Sequence, residues 1–99
     1  MTKPWFPMLD SAVWKHLLGN NGEDNVYSSV TIACDIVFQS RNIRTIQGDQ
    51  IACDALLTCV EALVPGDVVT IGNRDWPIKG VVREGKDNNR TVQWRTVGL

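Results

Sequence analysis

Few side chains in this 99-residue chain are of the kinds that perform chemistry, and their spacing brings few of them together. The only histidine is His16, between Lys15 and Leu17. Nucleophilic catalysis needs a base oriented by a third group and within reach of a nucleophile. His16 falls in a stretch that reads as helix, on its surface, with no such companions in sequence. Asp35 and Asp54 could pair across neighbouring strands. Both stand opposite the apolar positions of their strands, hence in water, whereas an acid–base pair needs one carboxyl raised by burial. The three cysteines, Cys34, Cys53 and Cys59, are nineteen and six residues apart, a spacing of no common zinc motif. An odd number without close pairs fits a reducing compartment, and Cys34 and Cys53 read as small core residues on strands. Pro65-Gly66-Asp67 and Gly72-Asn73 are strand punctuation, since neither opens a helix as a phosphate loop must. No catalytic residue, cofactor or metal site is expected.

Binding chemistry is better represented. Trp76 and Trp94 neighbour Lys79, Arg90 and Arg95 on adjacent predicted strands, an arrangement that can stack single-stranded nucleic acid. Against that, both tryptophans share a face with Ile78 and Val92, where they would fill a small core. Ten Lys and Arg against eleven Asp and Glu give a net charge of −1, without the basic excess of an autonomous nucleic-acid binder. No run of about 18 apolar residues exists to span a membrane. The opening MTKPWFPMLD carries Pro4, Pro7 and Asp10 where a secretory signal needs unbroken apolar residues. A cytosolic site of synthesis is therefore expected. Trp5, Phe6 and Trp14 concentrate aromatic area near one terminus. They would pack a helix on the body of the domain or insert into a neighbouring subunit.

The elements that must position these residues follow from periodicity. A chain of this length, 43% hydrophobic, forms one domain, 1–99, with a small core. A helix is predicted over 6–18, with Trp5, Met8, Leu9, Ala12 and Leu17 on one face and Pro7 in its first turn. Gly19 would stop it, and Gly19-Asn20-Asn21-Gly22 is a turn cluster. From 26 to 38, Val30, Ile32, Cys34, Ile36 and Phe38 alternate with Thr31, Ala33, Asp35 and Val37, the cleanest strand signal in the chain. Residues 39–50, QSRNIRTIQGDQ, read as a long polar loop. They form either a solvated hairpin tip whose Ile43 and Ile46 fold back, or a partner-binding loop that orders on contact. Residues 51–57 read as a strand and 58–63 as a helical turn capped by Thr58. The tail 65–95 reads as a three-stranded antiparallel meander. Its strands are 67–71, 76–83 with Trp76, Ile78, Gly80 and Val82 inward, and 90–95 with Val92 and Trp94 inward. Turns at 72–75 and 84–89 join them. The expected fold is mainly β: a small antiparallel β-barrel or sandwich over 26–95 with an N-terminal α-helix and a short helical turn before the meander.

The order of these parts resembles the lambda-like head–tail joining proteins of tailed bacteriophages, the tail-attachment or head-completion family. The matching parts are FPMLDSAVWKHLLG, the strand VTIACDIVF, a variable loop, ALLTCVEALVPGD, and the strand Gly66-Asp67-Val68-Val69-Thr70-Ile71-Gly72. WPIKGVVREGKDNNRTVQW completes it as an aromatic-led strand, a polar turn and a last strand. The resemblance covers about residues 6–95 and rests on order and spacing rather than on any one motif; the cysteines and the 39–50 loop have no counterpart in it. It implies a non-enzymatic structural protein that assembles as a ring at the portal end of the filled head and joins it to the tail. The implied partners are portal or head-completion proteins, tail proteins and further copies of the chain. DNA would pass nearby without tight binding, and no membrane is involved. The implied location is the host cytoplasm during assembly and then the virion neck. Trp5 and Phe6, with Arg41, Asn42, Ile43, Arg44 and Ile46 of the loop, are the expected contact residues. Alternatives of the same kind are other neck or tail ring components, such as a tail terminator. The alternative of another kind is a small single-stranded nucleic-acid-binding barrel, which would expose Trp76 or Trp94 and bind with salt dependence.

Overall fold

Two glycine-first turns set the pattern of the sheet. In the computed structural model, which describes residues 8–99, strands β1 (Asp10–Asn21) and β2 (Asp24–Arg44) form a hairpin closed by Gly22 and Glu23. Gly22 has φ 73° and its neighbour does not go positive, the Gly-X pattern of a two-residue hairpin turn. Gly72, with φ 62°, repeats the pattern between β4 (Val68–Ile71) and β5 (Arg74–Pro77). The remaining strands are β3 (Gln50–Cys59), β6 (Gly80–Lys86) and β7 (Val92–Gly98).

All seven elements are strands, paired antiparallel in the order β5-β4-β1-β2-β3-β7-β6. The fold is thus an open seven-stranded sheet rather than the expected closed barrel or two-sheet sandwich, and among the described residues the expected N-terminal helix and helical turn do not form. Residues 10–18 are strand because their tertiary partners outweigh the helical spacing. Ala12, Trp14 and His16 alternate toward one face, and each pairs with a residue of the strongly strand-forming β2, Ile32, Val30 and Ser28. The part of the predicted helix before residue 8, with Trp5 and Phe6, lies outside the described residues. Residues 58–63 contain the end of β3 and a bend rather than a helical turn. Thr58 pairs with both Asp35 and Thr96, and Cys59 pairs with Arg95, so a helix there would break two ladders.

The long loop is also corrected. Strand β2 continues to Arg44, and only 45–49 turn. The Thr45 amide donates to the Asp49 carbonyl at 2.7 Å and the Gly48 amide to the Thr45 carbonyl at 3.0 Å, with Gly48 at φ 97°. Polar composition concealed a strand whose outward residues face water and whose Ile43 packs inward on its partner.

The meander is broken at its middle strand. The predicted strand 76–83 is two strands at opposite ends of the sheet, β5 and β6. Pro77 ends β5, as a residue without an N–H must. The chain then crosses from one edge to the other in two residues. Ile78 donates its amide to the Asp67 carbonyl at 3.0 Å, and Lys79 donates its own to the Gly98 carbonyl at 2.8 Å. The sheet is therefore coiled so that its two edges meet at this corner. The core lies inside the coil: Ala12, Ile32 and Cys34 from one half meet Ala55, Leu57, Cys59, Val97 and Leu99 from the other, with Val69, Trp76 and Ile78 between.

Candidate interaction surface

Strand β2 carries four of the eight exposed large hydrophobic side chains among the described residues: Val26, Val30, Val37 and Phe38. The others include Ile46 in the 45–49 turn and Leu18 near the hairpin tip. Phe38 is 63% exposed, the residue at which the inward series of β2 runs past the end of the core. Its ring lies 5.9 Å from that of Trp76, which is buried. The Arg74 guanidinium covers the Trp76 ring at 4.0 Å, a cation–π contact. Phe38, Trp76 and Arg74 thus form an aromatic rim with one apolar ring turned outward.

The contact residues expected from sequence are only partly brought together. Arg41, Asn42, Ile43 and Arg44 sit in ladder with Cys53, Ala52, Ile51 and Gln50. Ile43 packs with Ile51 on a second apolar cluster of Cys53, Leu56 and Val82. Arg41, Asn42 and Arg44 are exposed. Ile46 is 50% exposed and held in place, because its amide donates to the Val81 carbonyl at 2.8 Å. It forms one wall of a pocket of about 260 Å³ with Ile51, Val64, Pro65, Lys79 and Arg95.

The second cluster exists because β3 bulges. Asp54 and Ala55 both bond to Leu99, one donating to its carbonyl and one accepting from its amide. One extra residue reverses the side-chain alternation, so Ile51 and Cys53 fall on the face of Leu56 instead of the face of Ala55 and Leu57. Val82 joins them because its neighbour Val81 packs in the main core: the alternation set by Trp76 and Ile78 has shifted at the corner between β5 and β6. The same face holds Trp94, which is half-buried and outside the main core, contrary to the sequence expectation. Its indole lies over Gly85, where a Cβ would collide with Nε1. Gly85 is in β6, not at the centre of a turn, and the turn spans 87–91 around the Asp87 carboxylate. Trp94, Val37, Leu56, Arg83, Asp35 and the Thr58–Thr96 pair line a shallow pocket of about 120 Å³.

Sequence reading missed the role of Asp67. This residue is 1% exposed and accepts three donors from one stretch of β1. Trp14 Nε1 donates at 2.8 Å, the Leu17 amide at 3.0 Å, and His16 Nδ1 lies 3.0 and 3.1 Å from the two oxygens. Burial raises the Asp67 carboxyl pKa, but the bonds from His16, Leu17 and Trp14 outweigh it and hold it below the ordinary carboxylate value. The Asp67–His16 contact orients the ring as a catalytic dyad would. His16 has Ser28 directly across the ladder, but no hydrogen bond joins the two side chains.

Of the three cations near Trp76 and Trp94 in the sequence, Arg90 is exposed and the other two are tied into the fold. Arg95 makes a forked bond to Glu84 at 2.9 and 3.2 Å and donates to the Leu63 carbonyl at 2.8 Å. Lys79 donates to the Ala52 carbonyl at 2.6 Å. Burial pushes the Cys34 thiol up to about 11 and the Cys59 thiol up to about 12, which keeps both protonated and inert. Among the described residues no group of side chains is arranged to hold a metal ion. No family model, curated protein or solved structure matches this chain.

Proposed function

We propose that this chain is a non-enzymatic structural adaptor that joins a phage head, at its portal end, to the tail as part of a ring. The observation that carries the reading is the exposure of Phe38, Val37 and Ile46 on ordered strand and turn. Of these, the Phe38 ring beside Trp76 makes contiguous apolar area of the kind that marks contact surfaces, and side chains already ordered lose little entropy on assembly. The partners are portal or head-completion proteins on one side, tail proteins on the other, and neighbouring copies around the ring. A ring needs heterologous interfaces that close by rotation. The near-neutral chain suits a collar that surrounds DNA without gripping it. It would act in the host cytoplasm and remain in the virion neck.

The test is in vitro joining. Extracts of cells infected with a phage lacking this gene are supplied with purified protein, and particles are counted by electron microscopy. Free filled heads and free tails that join only when the protein is added support the reading. Phe38→Asp and Ile46→Asp should keep the fold and abolish joining. Normal virions without the protein would refute it. Protein that binds finished tails rather than filled heads would point to a tail terminator instead. The nucleic-acid alternative calls for an exposed Trp76 or Trp94; Trp76 is buried beneath Arg74, and Trp94 is half-buried.

A further inference from the structure

Strand β2 is paired on one side only along each of its halves. Residues 24–34 meet β1 and residues 35–44 meet β3. These partners lie on opposite sides, as hydrogen-bond direction shows. Along a strand, alternate residues point their N–H and C=O groups to opposite sides. The Leu17 amide reaches Asp67 on the β4 side of β1. The even residues of β1 therefore face β2, and in pairs such as Trp14 with Val30 the even residues of β2 face β1. The Ile36 amide keeps that direction and donates to Asp10 of β1. On β3, the Leu99 amide donates to Ala55, so the odd residues face β7 and the even residues Leu56 and Thr58 face Val37 and Asp35 of β2. It follows that Tyr27, Ser29 and Thr31 aim their backbone groups at the side that β3 leaves uncovered. No described strand pairs there.

The outer edges of the sheet are blunted and this one is not. Edge strand β5 has four residues and ends in Pro77. Edge strand β6 is interrupted between Val81 and Arg83, and the Ile46 amide already occupies the Val81 carbonyl. Short strands, prolines and bulges are the usual protections against edge pairing. Residues 25–34 contain no proline, glycine or charged residue, in a chain that is 21% charged. Ser28, Ser29, Val30, Thr31 and Ala33 are exposed.

We propose that this open edge pairs with the same edge of a second copy, antiparallel about a two-fold axis near Ser29. On the axis of such a pairing a residue meets its own copy, and beside it only near neighbours, so a charge there would face a like charge. An uncharged run is what such an edge requires. With the axis at Ser29, Tyr27 stands opposite Thr31 of the second copy, and Ser28 opposite Val30. All outward-pointing odd residues then meet as hydrogen-bonded pairs. Val26 and Val30, 41% and 51% exposed, gain cross-strand neighbours. An isologous contact closes at two copies, so it is separate from the ring contacts proposed above and does not rest on them.

The experiment is sedimentation of the full chain over a wide concentration range, with amide exchange by NMR. The wild type should pass from 11.0 kDa to double that mass as concentration rises. Exchange at Ser29 and Thr31 should slow with it. Thr31→Pro removes an N–H that serves no internal ladder, and Ser29→Lys sets two cations on the axis. Both should stay monomeric with an unchanged circular-dichroism spectrum. If Thr31→Pro fails to fold, Ser29→Lys decides alone. A wild type that stays monomeric at every concentration overturns the proposal, as does a dimer that Ser29→Lys leaves intact.

Discussion

Replacing Asp67 by Asn changes almost no volume and removes one charge from the most heavily bonded buried group among the described residues. The carboxylate accepts Trp14 Nε1 on Oδ2 and the Leu17 amide on Oδ1, with His16 Nδ1 against both. A carboxamide has one acceptor oxygen. Whichever way it turns, its NH₂ faces either the Trp14 indole or the Leu17 amide, donor against donor. One buried donor is orphaned, at about 1–3 kcal/mol, and the remaining bonds lose the charge assistance that separates roughly 1.5–3 kcal/mol from about 1. The expected loss is about 3–5 kcal/mol, comparable to breaking a buried pair by removing one partner. A domain of this size is stable by only about 5–15 kcal/mol, so the variant should unfold at much lower urea in equilibrium denaturation followed by circular dichroism. In the same variant, amide exchange at Leu17 should accelerate more than at Leu57 in the core. A midpoint shift worth less than about 1 kcal/mol would show that the cluster is not fastened through this carboxylate.

Acid should act on the same group. The Asp67 pKa is lowered in the fold, so its contribution is complete above the ordinary carboxylate value and is lost as pH falls through that value toward the folded one. Glu84, raised by burial but lowered further by Lys86 and Arg95, adds a loss of the same sign. Urea midpoints should therefore fall on acidification and be flat above it. Trp76→Ala should cost about 3–5 kcal/mol as a core truncation, and Trp94→Ala clearly less, measured by the same denaturation. Gly85→Val drives a side chain into the Trp94 indole and should cost about 1–3 kcal/mol with a changed near-ultraviolet spectrum. The three thiols should resist alkylation in the folded protein at mildly alkaline pH and react together on unfolding.

Strands with regular alternation were legible before the fold was known. The run from Val30 to Phe38, the strand ending at Ile71 and the hairpin turn at Gly72 appear where periodicity and turn chemistry place them. Three features were not legible, each for a physical reason. Helical spacing of Trp5, Met8, Leu9 and Ala12 competed with a weaker alternation of Ala12, Trp14 and His16. The partner strand that decides between them begins directly after the two-residue turn. A bulge at Asp54–Ala55 and the corner between β5 and β6 shift which residues face the core, and alternation alone assigns the wrong side beyond each one. The continuous strand signal at 76–83 concealed a crossing between sheet edges, since Pro77 interrupts pairing without interrupting extended backbone. Of the expected contact residues, Ile46 and the exposed Arg41, Asn42 and Arg44 stay at the surface. Phe38 emerged as a contact candidate only once the end of the core was located.

Asp67 also explains how the β1–β2 hairpin is held where the sheet stops supporting it. Strand β4 pairs with Val13, Trp14 and Lys15 of β1 and goes no further. The next two residues, His16 and Leu17, are met by the Asp67 side chain, so a carboxylate continues the work of a strand for one more step. Beyond it, the hairpin rests on its own ladder, and the far side of β2 is open. An isolated two-stranded hairpin is marginal in water, and one fastened only at its root gains most from a third strand. Pairing with a second copy along Tyr27, Ser29 and Thr31 would supply that strand. The two supports act on the same element, so their effects couple: Asp67→Asn, which loosens the root, should weaken self-association as well as the fold. Ser29→Lys should weaken self-association and leave the monomer's stability where it was.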